Sequence, residues 1–375
     1  MKVFDGHVHT CTFNVPVREG VLLFKRQFER FDIEKMIFAA VPCHGFPGTF
    51  ADTDHLDNLR VIYCKSAFAP NGYAYAGLEY DEIDLSDKKA AGEALRAQAE
   101  RYRAVGYDGM KMLEGHPNMR KLLALPLDDE LFDPYYNFCE ETGYPILMHL
   151  ANPPDHWDAN SVSEYWRGRG CFFGDGTYPS FCELQNEIVR RLDKNPKLCL
   201  TLAHFGFLTF DKQLAERYMR YENTRLDVCP GGESYFNILK DPDYWIPFLE
   251  KYADRINYGT DTYTFEYWGE KTFRSASGAR PSLVRNFFLT KESHTYQKQE
   301  YRGIGLAPKL CEKIFYTNMA SLLGTPRPID YAYFLERIDA LLATAVPGTL
   351  DEYNLRSMKY DFTEQALCES REKNL

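Results

Sequence analysis

The strongest constraint on the fold is an alternation that runs through most of the chain. A short apolar run is followed by a longer stretch with helical periodicity, eight times over. Short apolar runs are typical of buried strands, and apolar residues spaced three or four apart are typical of helices that bury one face. The predicted strands are 2–8, 35–41, 73–79, 107–113, 145–150, 198–203, 224–228 and 255–260. The predicted helices include 17–31, 88–105, 128–142, 180–193, 210–221, 241–253 and 307–323.

This order of elements predicts an α/β fold with parallel strands and right-handed crossovers. Eight strand–helix units in roughly 320 residues match the size of a (β/α)8 TIM barrel with insertions. A doubly wound open sheet would show the same alternation, but it usually binds its ligand at a single switch point between neighbouring strands. The positions of the polar residues described next decide between these two architectures.

Polar side chains that bind metals follow several of the apolar runs. His7 and His9 end the first run, in Asp-Gly-His-Val-His, and alternate residues of a strand point to the same face. His149, His204 and Asp261 follow the fifth, sixth and eighth runs. The first and eighth strands are neighbours only in a closed ring, so the barrel is favoured, with long loops on the face where its strands end.

Imidazole nitrogens and a carboxylate oxygen are ligands that zinc and similar divalent ions prefer. The sequence therefore predicts a metal site formed by His7, His9, His149, His204 and Asp261. Asp261 and His204 are also the predicted catalytic residues. A carboxylate beside a metal can take a proton from water, and His204 would help the metal to stabilise a developing oxyanion. Taken singly, a His-x-His pair is more often a surface feature, and the carboxylate of Gly-Thr-Asp is equally typical of a turn or a helix cap.

Three residues are candidates for binding a substrate. Lys111 lies inside the apolar fourth run, where a charged side chain needs a partner. It could bind a substrate carboxylate or phosphate, pair with Glu114 or Glu79, or become carbamylated and bridge two metals; the first two interpretations are preferred. Glu114 follows at the end of the same run, and the alternative for it is a solvated loop. Arg274 lies after the eighth run and could bind a carboxylate in a bidentate manner, unless it is ordinary surface charge.

Long connections follow the second, fifth and eighth predicted strands, at 42–60, 151–179 and 262–306. Long loops at the ends of barrel strands commonly form the walls of active sites. Pro326 and Pro328 mark a break after the barrel. We therefore expect a barrel domain over 1–325 and a C-terminal helical extension over 326–375, packed on the barrel or on another subunit, with a helix near 331–343.

Bulk properties narrow the function further. A formal net charge of −10 argues against nucleic-acid binding that rests on attraction to phosphate. No apolar run approaches the roughly 20 residues of a membrane span. The N-terminus carries no secretory pattern, and the ten cysteines are scattered without a framework spacing, so we expect a cytoplasmic protein with free thiols. The expected partner is a small-molecule substrate, and the C-terminal tail is compatible with a homo-oligomer.

The ordered series of motifs resembles the amidohydrolase superfamily, in its amidohydrolase-related (amidohydrolase 2) TIM-barrel branch. The resemblance covers most of 1–324 and rests on Asp-Gly-His-Val-His at 5–9, Gly-Met-Lys-Met at 109–112, Pro-Ile-Leu-Met-His at 145–149, Ala-His-Phe-Gly at 203–206 and Gly-Thr-Asp at 259–261. It implies His7, His9 and His149 as metal ligands, Asp261 as ligand and proton shuttle, and His204 as ligand or substrate-polarising group. The implied metal is zinc, with manganese or another divalent ion as alternatives.

The function expected from these features is a metal-dependent hydrolase that uses a metal-activated water on an amide, ester or lactone of a small, carboxylated molecule. The alternative is a metal-dependent non-oxidative decarboxylase or hydratase of an unsaturated or aromatic carboxylic acid, because relatives in this branch use nearly the same ligands for that class of reaction. A barrel without catalytic activity is disfavoured by the complete set of candidate ligands.

Overall fold

The computed structural model describes residues 1–10, 15–43, 49–231, 234–263 and 270–372, without the side chains of 263, 270–277 and 372. Its larger sheet contains only parallel pairs. The strands of this sheet are β1 (Val3–His9), β2 (Ile33–Ala39), β3 (Gly72–Gly77), β4 (Gly109–Gly115), β5 (Ile146–Leu150), β6 (Leu200–Leu202), β7 (Thr224–Asp227), β8 (Ile256–Asn257) and β9 (Thr262–Tyr263). The bounds of β1 to β7 all lie within two residues of the predicted ones.

The sheet is almost closed into a barrel. Two short strands, β8 and β9, together take the place of the eighth barrel strand. β8 pairs with β7, and β9, a few residues later, pairs with β1 on the other side. Between them the amide of Gly6 donates to the carbonyl of Tyr258 at 3.0 Å. A Cβ at residue 6 would lie 3.0 Å from that same carbonyl oxygen, so glycine allows this close approach. The prediction of a (β/α)8 TIM barrel is confirmed.

The helices alternate with these strands and surround the barrel. They are α1 (Val17–Arg30), α2 (Asp57–Ala67), α3 (Lys88–Val105), α4 (Pro117–Leu123), α5 (Asp133–Thr142), α6 (Glu164–Arg167), α7 (Phe181–Lys194), α8 (Lys212–Tyr218), α9 (Ser234–Lys240), α10 (Pro242–Lys251), α11 (Glu270–Leu289), α12 (Pro308–Glu312), α13 (Asn318–Leu323), α14 (Tyr331–Thr344) and α15 (Leu350–Glu372). Among the residues in this description, no helix combines the length and apolar character that crossing a bilayer requires.

Two of the predicted long connections contain more regular structure than expected. The stretch 42–60 ends inside α2, which is buried over most of its length and so lacks the polar face that marks a surface helix. The stretch 262–306 contains β9, α11 and the hairpin β10 (Ser293–Tyr296) with β11 (Gln299–Arg302). Gly278 and Pro281 lie within α11, and such residues usually mark loops. The connection 151–179 has only short helical turns, as expected.

A small apolar cluster fills the barrel on the side where the strands begin. Phe4 and Leu147 precede His7 and His149 on their strands, which places the histidines on the opposite, C-terminal side of the cluster. The strand register shifts between Asp5 and Val8. This irregularity lets Phe4 and the later histidines of β1 both face the barrel interior although His7 lies an odd number of positions, three, after Phe4. The cluster comprises Phe4, Ile37, Ala39, Tyr73, Tyr75, Leu147, Ala203 and Met319.

Helices α14 and α15 pack against each other and against the outside of the barrel. Asp361 of α15 accepts hydrogen bonds from Arg18 of α1 and from the hydroxyl of Tyr63 of α2. The side chain of Asn354 accepts from the amide of Val17, the first residue of α1. Phe362 is fully buried, with its ring 5.9 Å from that of Tyr63. The C-terminal helices therefore cover the outer face of the first two barrel helices.

Candidate metal centre

His7 and His9 present their Nε2 atoms to each other at the end of β1. Nδ1 of His9 donates to the carbonyl of Ala39 on β2 at 2.6 Å, and Nδ1 of His7 lies 2.8 Å from Oδ2 of Asp227 at the end of β7. Both partners are acceptors, so each Nδ1 carries the hydrogen and each neutral ring keeps its lone pair on Nε2. The two Nε2 atoms lie 3.0 Å apart.

Two nitrogen lone pairs that face each other at this distance repel, and a cation between them removes the repulsion. A carboxylate lies beside both nitrogens. Oδ1 of Asp261 is 3.5 Å from Nε2 of His9 and 3.7 Å from Nε2 of His7. These three side chains form a group whose ligand atoms all lie within 4.8 Å of one another. Two imidazole nitrogens and a carboxylate oxygen suit a divalent transition metal, so this donor set fits the predicted ion.

Both imidazoles are held in the neutral form that binds metals. Burial, and next the positive charge of Lys111, lower the pKa of His7 below its ordinary value. The same two causes lower the pKa of His9 to about 4. Burial likewise lowers the pKa values of His149 and His204. A neutral imidazole needs to lose no proton before it binds a metal, so these rings are ready as ligands near neutral pH.

Lys111 reaches the same group from β4. Its side chain is buried, and Nζ lies 3.0 Å from Nε2 of His7. An ammonium group can donate a hydrogen bond to that lone pair. In the absence of a metal, Lys111 therefore places a positive charge at the position where the ligand atoms converge.

Asp261 is fixed by the backbone of β1 and by an arginine. Its amide donates to the carbonyl of His7 at 2.8 Å, and its backbone has a φ of 50°, which is uncommon for a residue other than glycine. Nη1 of Arg280, on α11, lies 2.8 Å from Oδ2 of Asp261. Burial raises the pKa of this carboxyl, but Arg280 and then the histidines outweigh it and lower the pKa to about 2. Asp261 is therefore ionised at neutral pH.

His204 begins a left-handed turn directly after β6. His204, Phe205, Gly206 and Phe207 have φ values of 55°, 57°, 60° and 54°. Such a conformation costs roughly 1–2 kcal/mol for each residue other than glycine, and strained backbone of this kind concentrates at functional sites. The turn brings the imidazole of His204 to a ring-centroid distance of 5.6 Å from that of His7.

Two neighbours after β7 hold the ring of His204 in place. Sγ of Cys229 lies 3.2 Å from Nδ1 of His204 and 3.2 Å from Nδ1 of His7. A Cβ at Gly231 would lie 2.4 Å from Nδ1 of His204, closer than any real contact allows. Glycine at this position therefore leaves the space that the imidazole occupies.

His149 lies next to the group of three ligands but is not part of it. Its ring centroid is 4.9 Å from that of His204, and its Nε2 lies 3.1 Å from Oδ1 of Asn152. Nδ2 of Asn152 lies 3.4 Å from Nε2 of His116, so an amide links the two histidines. Of the five predicted ligands, the structure thus gathers His7, His9 and Asp261 closely and places His204 and His149 successively further away.

A cavity of about 450 Å³ opens onto these side chains. His149, His204, Asp261 and Arg280 all line it. Its size is in the range of sites for small molecules, about 300–1,000 Å³. The connection after β5, the segment after β7, α11 and the β10–β11 hairpin supply its walls. The aromatic residues among them are Trp166, Phe207, Tyr235, Phe236 and Tyr296.

The other two substrate-binding candidates lie elsewhere. Glu114 is buried and accepts a hydrogen bond from the hydroxyl of Tyr80 at 2.8 Å, and it is not among the residues that line the cavity. Burial raises its pKa to about 7. Arg274 belongs to α11, in the part whose side chains fall outside the described residues.

Sequence reasoning missed two residues of the site and did not select a third, Arg280, from the arginines that could bind a carboxylate. Asp227 and Cys229 were overlooked, although a carboxylate and a thiol at the end of the seventh predicted strand share the edge from which the candidate ligands project. Arg280 has the same signal as Arg274, an arginine in the eighth connection, and the sequence does not reveal which of the two reaches Asp261.

Residues 83–325 match a family model described as amidohydrolase, which covers more than half of the chain and includes His149, His204 and Asp261. Among solved structures, 5-carboxyvanillate decarboxylase from Novosphingobium aromaticivorans, in complex with manganese and 4-hydroxy-3-methoxy-5-nitrobenzoic acid, is 14% identical with a TM-score of 0.50, over 86% of this chain and 96% of that one. A structure named amidohydrolase II is 16% identical with a TM-score of 0.50, over 86% and 99%.

The 4-oxalomesaconate hydratase from Rhodopseudomonas palustris is 13% identical with a TM-score of 0.49, over 91% of this chain and 98% of that one. At such identities the structural likeness shows the fold alone. A search of curated proteins gives no match. The family model and the cluster of metal-binding side chains carry the assignment: the chain belongs to the amidohydrolase-2 family of metal-dependent enzymes.

Proposed function

We propose that this protein is a metal-dependent hydrolase that cleaves an amide, ester or lactone bond in a small, carboxylated molecule. His7, His9 and Asp261 would hold the ion, with His149 as the neighbouring candidate ligand and His204 in the substrate-polarising role derived below. Zinc is the proposed metal, with manganese as the alternative. When bound, the metal would supply a water of lowered pKa and would polarise the carbonyl of the substrate.

The observation that carries this proposal is the contact between Arg280 and Asp261. The guanidinium lies 2.8 Å from Oδ2, while Oδ1 faces the Nε2 atoms of His7 and His9. A positive charge at this distance stabilises the ionised carboxylate. Asp261 is therefore suited to accept a proton from water at the ligand group and to pass it to a leaving group on the cavity side.

His204 is suited to donate a hydrogen bond to an oxyanion. Burial raises the pKa of the Cys229 thiol, which therefore keeps its proton. Because Nδ1 of His7 already carries a hydrogen for Asp227, the thiol donates to Nδ1 of His204 instead. A neutral His204 then carries its own hydrogen on Nε2, in a ring that lines the cavity. Such a donor stabilises the negative charge that develops on a carbonyl oxygen during acyl transfer.

The same contact argues against decarboxylation. In that reaction Asp261 would have to hold a proton before turnover begins, but its contact with Arg280 keeps the carboxylate ionised in the resting enzyme at neutral pH. In hydrolysis Asp261 receives its proton from water during turnover, so an ionised resting state is the one required. Arg280 lines the cavity and places positive charge there, which supports a substrate that carries a carboxylate. Lys111 does not line the cavity and contacts His7 instead.

The test is to load purified enzyme with zinc or manganese and to assay it in ¹⁸O-labelled water. Two substrate panels would be used: carboxylated amides, esters and lactones, and unsaturated or aromatic carboxylic acids. We expect ¹⁸O in the acid product of the first panel and no turnover by Asp261→Asn. Release of CO₂ from the second panel, without hydrolysis of the first, would refute the proposal.

A further inference from the structure

We propose that Asp227 is a positioning residue that sets the tautomer of His7 through one carboxylate oxygen and anchors the turn of His204 through the other. The inference deepens the proposed function, since it concerns the same site. It assigns a role to a residue outside the cluster of His7, His9 and Asp261.

The first oxygen acts on His7. Asp227 is the last residue of β7 and is buried, and its Oδ2 lies 2.8 Å from Nδ1 of His7. An ionised carboxylate only accepts hydrogen bonds, so it requires a hydrogen on that nitrogen. The lone pair of His7 is thereby directed through Nε2 towards His9 and Asp261. Carboxylates that fix a metal-binding histidine in this way orient the ring and raise its basicity.

A second neighbour of Nδ1 favours the opposite tautomer. Sγ of Cys229 lies 3.2 Å from this atom, and its S–H could donate only to a nitrogen that has a lone pair. The carboxylate contact is shorter and charge-assisted, and such hydrogen bonds are roughly twice as strong as neutral ones. At Nδ1 the carboxylate of Asp227 therefore outweighs the thiol, which is left for His204. The ammonium group of Lys111, 3.0 Å from Nε2, favours the same tautomer of His7.

The second oxygen acts on the backbone. Oδ1 of Asp227 accepts from the amide of His204 at 2.7 Å and from the amide of Cys229 at 3.2 Å. The amide of His204 starts the left-handed turn, whose conformation is unfavourable for residues other than glycine. One carboxylate thus holds both the ring of His7 and the turn that presents His204.

The surroundings leave little freedom for this side chain. A Cβ at Gly259 would lie 3.1 Å from Cβ of His7 and 3.5 Å from Oδ2 of Asp227. The absence of a side chain at 259 therefore makes room for both partners. A longer acid at position 227 would displace the imidazole instead of reproducing the contact.

Asp227→Asn separates the contact with His7 from the contacts with the backbone amides. It replaces one carboxylate oxygen by an NH₂ group and keeps the other oxygen as an acceptor. Because two backbone amides donate to the Oδ1 position, the amide oxygen must take that place and the NH₂ group must face His7. The NH₂ group donates to Nδ1 and so moves the hydrogen of His7 to Nε2, where it blocks the lone pair. An amide at the corresponding position of a catalytic carboxylate–histidine pair imposes the wrong tautomer for the same reason.

The experiment uses full-length, metal-free protein labelled with ¹⁵N in histidine. Long-range ¹H–¹⁵N NMR spectra, assigned with a His7→Gln variant, report which ring nitrogen carries the hydrogen. We expect Nδ1–H for His7 in the wild type and in Lys111→Met, which lacks the ammonium group that also favours a lone pair on Nε2. In the double variant of Lys111→Met with Asp227→Asn we expect Nε2–H. Competition with a chelator should show that zinc affinity falls about 10- to 100-fold in Asp227→Asn. Asp128→Asn, which removes the same charge from a surface pair with Arg190, should match the wild type in both measurements.

Nε2–H on His7 of the wild type would overturn the inference by itself, so it can be tested even if Asp227→Asn fails to fold. Retention of Nδ1–H in the folded double variant, or wild-type zinc affinity in folded Asp227→Asn, would also overturn it. Both readouts are taken without substrate. If hydrolysis is not found but the tautomer changes as expected, the proposed function fails and the role of Asp227 stands.

Discussion

The Nε2 atoms of His7 and His9 lie 3.0 Å apart although neither ring has a hydrogen to share at that position. Their Nδ1 atoms are committed to Asp227 and to the carbonyl of Ala39. The protein therefore maintains an arrangement that is unfavourable on its own and becomes favourable when a cation, from Lys111 or from solution, lies against the two lone pairs.

The first prediction follows from this pair. His9→Ala removes one of the converging ligand atoms. Loss of a residue that merely hydrogen-bonds a metal ligand lowers metal affinity or activity about 10- to 100-fold, so in His9→Ala bound metal and turnover should both fall by more than about 100-fold. Metal content after gel filtration and kcat/KM of the same sample are the measurements. His55→Ala is the matched control. His55 is exposed, its Nε2 lies 3.7 Å from the carboxylate of Asp81, and it does not line the cavity. A His9→Ala protein that retains one metal ion per chain would contradict the ligand assignment.

A second prediction concerns the space beside His204. In Gly231→Ala the new methyl group would lie 2.4 Å from Nδ1 of His204, so the imidazole must move. A displacement of about 1 Å in an active site can reduce the rate about 100-fold, and we expect a loss of that order in kcat/KM with an unchanged far-UV CD spectrum. Gly168→Ala serves as control, because its Cβ would meet the carbonyl oxygens of Glu164 and Tyr165, at 3.3 and 3.9 Å, and no side chain of the site. Wild-type kcat/KM in Gly231→Ala would show that the position of His204 does not matter.

The positions of the strands and of most candidate ligands could be predicted from the sequence because each is a local feature. An apolar run gives a strand, and a polar residue directly after it must lie at the end of the barrel. His7, His9 and Asp261 converge for that reason alone. The same rule places Asp227 at that edge, but its role depends on its contact with a residue 220 positions away, a tertiary property that no local pattern encodes.

Helix α2 was not predicted, for a different reason. Helix α2 buries the polar residues Asp57, Arg60 and Lys65 along with its apolar ones, so no amphipathic pattern remains. These side chains are accommodated by partners elsewhere in the fold, for example Asp108 for Lys65. The contact of His149 with Asn152 was also unpredictable, since no local pattern shows which partner an imidazole at a strand end finds in the fold.

The third prediction tests the state of Lys111. If Nζ is an ammonium group beside His7, it repels a divalent ion, and each unit of charge at 4 Å contributes about 4 kcal/mol at an effective dielectric constant near 20. Lys111→Met should therefore bind zinc at least about tenfold more tightly than the wild type, even if only part of this repulsion is realised. Zinc affinity is measured by chelator competition. If Lys111 were instead a carbamate that bridges two metals, Lys111→Met would bind zinc more weakly, and the wild type would show a carbamate signal with ¹³C-bicarbonate.

The fourth prediction concerns the pH dependence of stability. Burial raises the pKa of Glu114 from 4.5 to about 7, so its stabilising contribution is complete below pH 4.5 and is lost as the pH rises through 7. Glu114→Gln resembles the protonated form at every pH. Its free energy of unfolding, relative to the wild type, should therefore rise between pH 4.5 and 7 by up to about 3 kcal/mol and then level off.

Urea unfolding at pH 5 and pH 8 is the measurement for this prediction. Glu93→Gln, at an exposed position of α3, should show no such change with pH. A difference between Glu114→Gln and the wild type that is the same at both pH values would mean that Glu114 ionises as freely in the folded protein as in the unfolded chain.

The last prediction concerns the C-terminal helices, which we propose to be an integral part of the folded unit. Phe362 of α15 is fully buried, and its ring lies 5.9 Å from Tyr63 of α2 and 5.4 Å from Tyr331 of α14. Phe362→Ala should lower the free energy of unfolding by about 3–5 kcal/mol, the usual cost of removing a buried phenyl group. Leu367→Ala on the same helix should change it by less than about 1 kcal/mol, because Leu367 is 48% exposed. If α15 folds with the barrel, Phe362→Ala shifts a single unfolding transition, whereas a separate early transition would show that the extension melts by itself.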